Sequence, residues 1–234
     1  SFYDRYITHP NMGYEFKSVG MGLNLPASNP YSDHDMMKES MKDFIRSQKP
    51  FHAYYMTYSG HYQYDWTNDM SAKHRDKVAH LPYSEPVQAY IACNLELEKG
   101  LASLVKQLED AGIADDTVIV MAPDHYPYGL GTSWGLKKDG LAELYGVDKY
   151  DLFQRDKNTL IIWSGCLEDQ NIVVEEPVYS LDILPTLSNL FGVEYDSRLL
   201  VGRDVFSGAE PLVLWPDHSW LTELGSYNFK AGVF

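Results

Sequence analysis

The chain has 234 residues, with 33 acidic against 19 basic side chains and a formal net charge of −14. At 44% hydrophobic and 22% charged, its composition is that of a chain with a buried core rather than a disordered one. The acidic balance excludes sequence-independent binding to nucleic acid, which needs surplus Lys and Arg, and no apolar run approaches the roughly 20 residues that span a bilayer.

Residues 1–31 are rich in aromatic residues, Gly and Pro, and Gly20, Gly22, Pro26 and Pro30 break any long element, so loop and short turns are expected. Ser32 and Asp35 have the S-x-x-D spacing of a helix start. Met36, Met37, Met41, Phe44 and Ile45 then recur at helical spacing up to Lys49-Pro50. His52 to Tyr58 has the character of a strand leading into Ser59-Gly60-His61. A longer helix follows. Ser84 is placed to cap it, Pro86 falls in its first turn, and an apolar stripe runs from Val87 through Tyr90, Ile91, Leu95, Leu101, Leu104 and Val105 to Leu108. Gly112 supplies a left-handed stop.

Thr117 to Ala122 is apolar on both faces, the pattern of a strand covered by helices in a parallel sheet. Leu160 to Trp163 is a similar short strand, Ser180 to Phe191 a helix closed by Gly192, and Leu212 to Trp215 a last strand. Alternation of this kind predicts an α/β fold, a mainly parallel sheet with helices on both faces.

Cys93 and Cys166 lack paired metal-ligand spacing and are expected to be small buried apolar side chains. The 18 Tyr against 9 Phe hint at an aromatic rim around a polar cleft.

In an open parallel sheet, ligands sit beyond the carboxyl ends of the strands. His61, Asp124-His125 and Ser164-Gly165 occupy such ends. Asp-His occurs three times, at Asp33-His34, Asp124-His125 and Asp217-His218. The first falls in a helix's opening turn, where a carboxylate complements the macrodipole. The third follows Pro216 and is readable as a turn. Only the middle pair follows a strand apolar on both faces, and its oxygen and nitrogen donors suit a borderline cation such as Mn²⁺ or Zn²⁺. A hydrogen-bonded turn is the alternative there. His61 is open to a structural or a catalytic role, and Arg5 either pairs with Asp4 or grips an oxyanion.

The segment Asp115-Asp116-Thr117 through Pro123-Asp124-His125 resembles the D-x-T…D-H element of the alkaline phosphatase/sulfatase superfamily. Asp182-Ile183-Leu184-Pro185-Thr186 is similar to its D-hydrophobic-hydrophobic-P-T element, and Gly202-Arg203-Asp204-Val205-Phe206 to the G-R-D-L-F that follows. Phe2-Tyr3-Asp4-Arg5, Met12-Gly13-Tyr14 and Ser59-Gly60-His61 resemble the lipoteichoic acid synthase branch, whose members are phosphoglycerol transferases. The resemblance implies an alkaline phosphatase-like fold in which Asp124 and His125 ligate a divalent cation, Mn²⁺ foremost, with Mg²⁺, Ca²⁺ or Zn²⁺ as alternatives. Tyr3, Arg5 and His61 would contact an anionic phospholipid head group or glycerol-phosphate substrate. An enzyme hydroxyl would attack the phosphodiester and form a covalent intermediate.

In that branch the nucleophile and a further acidic ligand precede the segment matching Phe2 to Arg5, and Thr57, Thr132 and Ser133 are poor substitutes. The expectation is therefore the C-terminal portion of one catalytic domain over residues 1–234. It would lack the N-terminal strand and the nucleophile, be inactive alone, and be prone to self-association through an exposed sheet edge. The resemblance also implies the extracytoplasmic face of a bacterial membrane. Hydrolysis to water, as by a sulfatase or phosphodiesterase, and non-catalytic binding of an anionic glycan or lipid head group stay open as alternatives.

Overall fold

The computed structural model describes residues 3–26, 31–47, 49–61, 63–167 and 169–234. The chain forms two compact units, residues 1–168 and 169–234.

In the first unit, α1 (Arg5–Asn11) and the two-residue strands β1 (Ser18–Val19) and β2 (Gly22–Leu23) occupy a stretch expected to be loop. None of the residues of α1 is buried, so no apolar period announces it. Phe2 and Pro30 lie outside the described residues.

Helix α2 (Asp33–Phe44) begins as expected: the Ser32 hydroxyl oxygen accepts the Asp35 N–H at 3.0 Å. It ends at Phe44, with Ile45, the last residue of the apolar stripe, as its C-cap, before Lys49-Pro50 is reached. Met37 and Met41 are buried against Leu104 and Leu108 of α4 (Glu85–Asp110). The two helices approach closely at Gly100, where a Cβ would lie 3.0 Å from the Met37 sulfur and 3.2 Å from the Asp33 carbonyl. Pro86 sits in the first turn of α4, and Gly112 takes φ 71° after its end.

The Ser84 side chain makes no cap. Its N–H and hydroxyl donate instead to the two Glu143 carboxylate oxygens, at 2.7 and 2.6 Å, which ties α4 to α5 (Gly140–Tyr145). Helix α3 (Asp69–Val78) packs on α4 and was not foreseen, because its sequence is mostly polar and only Met70, Ser71, His74 and Val78 are buried. A second core cluster joins Tyr64, Val87, Ala89, Leu130 and Leu141, and α6 (Leu152–Asp156) follows with an Asp151–Gln154 capping box.

Strands β3 (Val118–Met121) and β4 (Ile161–Ser164) stand where the apolar pattern places them, but they pair antiparallel, Val118 opposite Ser164 and Met121 opposite Ile161. The expected parallel sheet covered on both faces is corrected accordingly: among the described residues the only parallel pairing is the two-residue β1–β2 contact. All four residues of β3 are part-buried, not fully covered. An apolar run reports burial and says nothing of strand direction. Residues 52–58 form no ladder, although Ala53 and Tyr55 turn inward while Tyr54, Met56 and Tyr58 are exposed. Cys93 is buried, which raises its thiol pKa to about 11, whereas Cys166 is exposed in the turn after β4, against expectation.

In the second unit a 3₁₀ turn, Ser180–Asp182, runs into α7 (Ile183–Leu190), and Gly192 follows at φ 63°. Strands β5 (Val213–Leu214), β6 (Trp220–Thr222) and β7 (Gly225–Tyr227) make an antiparallel sheet. The D-x-x-P-T and G-R-D segments meet here. The buried Asp182 carboxylate accepts the N–H groups of Tyr179 at 3.1 Å and Arg203 at 2.8 Å, and the buried Thr186 hydroxyl accepts that of Val205 at 3.1 Å. A Cβ on Gly202 would collide with the Leu181 carbonyl oxygen and lie 2.7 Å from the Asp182 nitrogen. Both motifs in this unit are packing devices.

Candidate active site

Two loops of the first unit carry the candidate chemistry. The Tyr58-Ser59-Gly60-His61 turn closes with a 2.9 Å bond from the His61 N–H to the Tyr58 carbonyl. It is anchored from beneath by Asp33, 1% exposed, whose carboxylate accepts the N–H of Tyr58 at 2.8 Å, the N–H of Ser59 at 3.0 Å, and the Ser59 hydroxyl. Burial raises the Asp33 pKa, and these hydrogen bonds oppose that rise. Gly60 faces Asn94 of α4, leaving 3.1 Å between a Cβ and the Asn94 oxygen, and the Tyr64 hydroxyl donates to the Gly60 carbonyl at 3.2 Å. Asp33 of the Asp33-His34 pair, explained from sequence by the helix dipole alone, thus holds the His61 turn. Sequence carried one signal for this, a carboxylate at the start of a helix whose third residue already serves the cap.

Behind Asp33 lies a second buried carboxylate. Glu96, with no exposed surface, accepts from Lys73 at 2.8 Å, from the ring of His74 at 2.6 Å, and from Ser32. Burial works to raise its pKa, but these donors outweigh it and hold the group at about 2. The network joins α2, α3 and α4 under the His61 turn.

The other loop leaves β3 through Pro123. Asp124 and His125 are both exposed, with the His125 Nε2 3.5 Å from an Asp124 carboxylate oxygen. The His125 Nδ1 lies 2.8 Å from the Tyr126 carbonyl, which suits a donated hydrogen bond and leaves Nε2 as the electron-pair donor. Tyr126 is itself held by the Arg155 guanidinium, 4.6 Å from its ring centre, and Leu130 is fully buried in the core. The loop therefore has two anchors, both on the C-terminal side of the histidine.

These anchors bring the two loops together. The rings of His61 and His125 are 6.5 Å apart, edge to face, and Tyr128 contacts both, 4.7 Å from His125 and with its hydroxyl 3.4 Å from the His61 Nε2. The Arg5 guanidinium lies 5.2 Å from the Tyr3 ring centre, which brings those two candidate residues together. Tyr128 was missed from sequence, where a loop tyrosine among 18 carries no signal.

Asp124 and His125 offer one carboxylate oxygen and one oriented imidazole nitrogen, a donor pair that fits a cation of the Mn²⁺ or Zn²⁺ type. Among the described residues no group of three or more His, Cys, Asp or Glu side chains gathers to hold a metal. Asp217-His218 is a turn between β5 and β6: the Asp217 carboxylate accepts the Ser219 N–H at 3.0 Å, and His218 takes φ 70°. Thr57, Thr132 and Ser133 are exposed.

Fold and motifs together define a class: the Sulfatase family profile matches residues 1–193, and the chain belongs to that family, whose alkaline phosphatase-like α/β fold here comprises helices and small sheets. The Gly202 to Phe206 motif lies beyond the matched stretch. Within the family, the chain is 25% identical over 175 residues to the lipoteichoic acid synthase of Staphylococcus saprophyticus. It is 24% identical over 196 residues to the lipoteichoic acid synthase-like protein YvgJ of Bacillus subtilis. It is 22% identical over 201 residues to the lipoteichoic acid synthase of Staphylococcus aureus. These alignments take in 75, 81 and 86% of this chain, and 26, 30 and 29% of the respective relatives. No helix among the described residues is long and apolar enough to cross a membrane.

Proposed function

We propose that this chain carries the cation- and phosphate-handling portion of a phosphoglycerol transferase of the lipoteichoic acid synthase type, acting outside a bacterial membrane. The observation that carries the reading is the meeting of His61 with Asp124-His125, two loops anchored from separate elements in a Sulfatase family chain. The family match runs across the boundary at residue 168, which supports one catalytic domain spanning both units.

Asp124 and His125 would hold the cation, the imidazole oriented by the Tyr126 carbonyl. When bound, a divalent cation polarises a phosphoryl oxygen and lowers the pKa of an attacking hydroxyl. His61, fixed by Asp33 through its turn, donates a hydrogen bond to a phosphoryl oxygen or a glycerol hydroxyl. Arg5 supplies two parallel donors to the phosphate, and Tyr3, under its guanidinium, limits the directions in which that fork points. With Thr57, Thr132 and Ser133 poor substitutes for the family's nucleophile, the chain alone is expected to bind without turning over.

The test is calorimetric titration with Mn²⁺ of the parent and of an Asp124→Ala, His125→Ala double variant. Heat of binding in the parent that is absent in the variant supports the assignment. Equal binding by both proteins sinks it.

A further inference from the structure

A cleft of about 270 Å³ opens beside the His61 turn, bordered by Tyr31, Tyr58, Gln63, Thr67 and Asp69. The Tyr31 and Tyr58 rings lie 4.8 Å apart, 30° from parallel, and both are half exposed. Tyr58 in turn stacks on His61, 5.4 Å away and 9° from parallel. Three rings therefore form a continuous ledge from the candidate active site into the cleft.

The rest of the border is polar and tied by local hydrogen bonds. The Asn68 oxygen caps the Met70 N–H at 2.9 Å, its amide donates to the Gln63 carbonyl at 2.9 Å, and Thr67 donates through its N–H to Asp65 at 2.8 Å. With those groups engaged in fixing the border, the exposed Gln63 carboxamide and Asp69 carboxylate are placed to serve a ligand.

Among the described residues, the lining contains one carboxylate and no cation. An anion is disfavoured there, in contrast to the Arg5 end of the chain. Aromatic faces present apolar area to C–H groups, while an amide and a carboxylate accept or donate to hydroxyls. A ring with C–H faces and an equatorial belt of hydroxyls satisfies both kinds of group at once.

We infer that the Tyr31–Tyr58 cleft is a subsite for a neutral saccharide ring, seated beside His61. As a saccharide site it stands on the cleft alone. As the place that holds the sugar portion of a substrate, it rests on the transferase reading above.

The experiment is saturation-transfer difference NMR with maltose on the full chain, run on the parent, Tyr31→Ala, Gln63→Ala and His125→Ala, with circular dichroism as the folding control. The expected result is transfer to maltose ring protons in the parent. It falls roughly tenfold in Tyr31→Ala and several-fold in Gln63→Ala, as expected when a stacking face and a hydroxyl partner are lost. It is unchanged in His125→Ala. Absence of transfer in the parent, or equal transfer in folded Tyr31→Ala, overturns the inference. So does a Tyr31-dependent signal from tetramethylammonium where maltose gives none, since that would make the cleft a cation cage. Absence of Mn²⁺ binding in the parent, with maltose binding intact, would fault the transferase reading and leave the subsite standing.

Discussion

The Asp33 carboxylate accepts the backbone N–H of Ser59 at 3.0 Å, so the first turn of α2 holds the turn that carries His61, 28 residues further along the chain than Asp33 itself. That single carboxylate satisfies three donors, and two of them are main-chain groups with no strand partner.

Removing it leaves those donors unpaired, two of them on the buried Ser59. Asp33→Ala is expected to cost about 2 kcal/mol of stability, the range for stranded buried groups. Amide hydrogen exchange at Tyr58 and Ser59 should accelerate well beyond the global loss. Urea denaturation and exchange mass spectrometry measure the two effects, and unchanged exchange at those amides would remove Asp33 from the positioning role.

Glu96 sets an acid limit. Its pKa is about 2 in the folded protein against an ordinary value of 4.5, so the folded state binds fewer protons than the unfolded state between those values. The stabilisation is present above about pH 4.5 and is lost as the pH falls toward 2. It amounts to about 3 kcal/mol. Denaturation midpoints measured across that window should fall steeply for the parent. The slope should be shallower for Glu96→Gln, which starts from a lower stability at neutral pH.

Gly202→Ala tests the motif packing in the second unit. The added methyl meets the backbone of Leu181 and Asp182, which cannot yield as a flexible side chain would. A loss of about 3 kcal/mol is expected, read as an earlier unfolding transition of residues 169–234 by limited proteolysis. Wild-type resistance would show that the 202–206 segment is free to move.

Among the described residues β3 has ladder bonds to β4 alone, and Ile161 on β4 is 47% exposed. Such strand edges invite pairing with a second chain. Sedimentation velocity over a concentration series is expected to show reversible self-association, and a strict monomer throughout would count against it.

Sequence alone determined the elements whose signal is local. The Ser32 cap, the Met37–Met41 stripe, the Gly112 and Gly192 stops, and the apolar runs at 117–122 and 160–163, where strands 118–121 and 161–164 stand, follow from periodicity and turn chemistry within a few residues. Asp124-His125 was selected over its two sister pairs by its place after such a run. Helix α3 escaped because its sequence is mostly polar, and its Lys73 and His74 bond to Glu96, 22 residues beyond His74. Strand direction escaped because hydrophobicity measures burial without orientation. Only the tertiary structure decided that Asp33 anchors His61, that Ser84 serves Glu143 rather than its own helix, and that Tyr58 carries an aromatic ledge toward Tyr31. Each of those depends on groups distant in sequence arriving at hydrogen-bond or ring-contact distance, and that arrival is set by how α2, α3 and α4 pack, which no local pattern encodes.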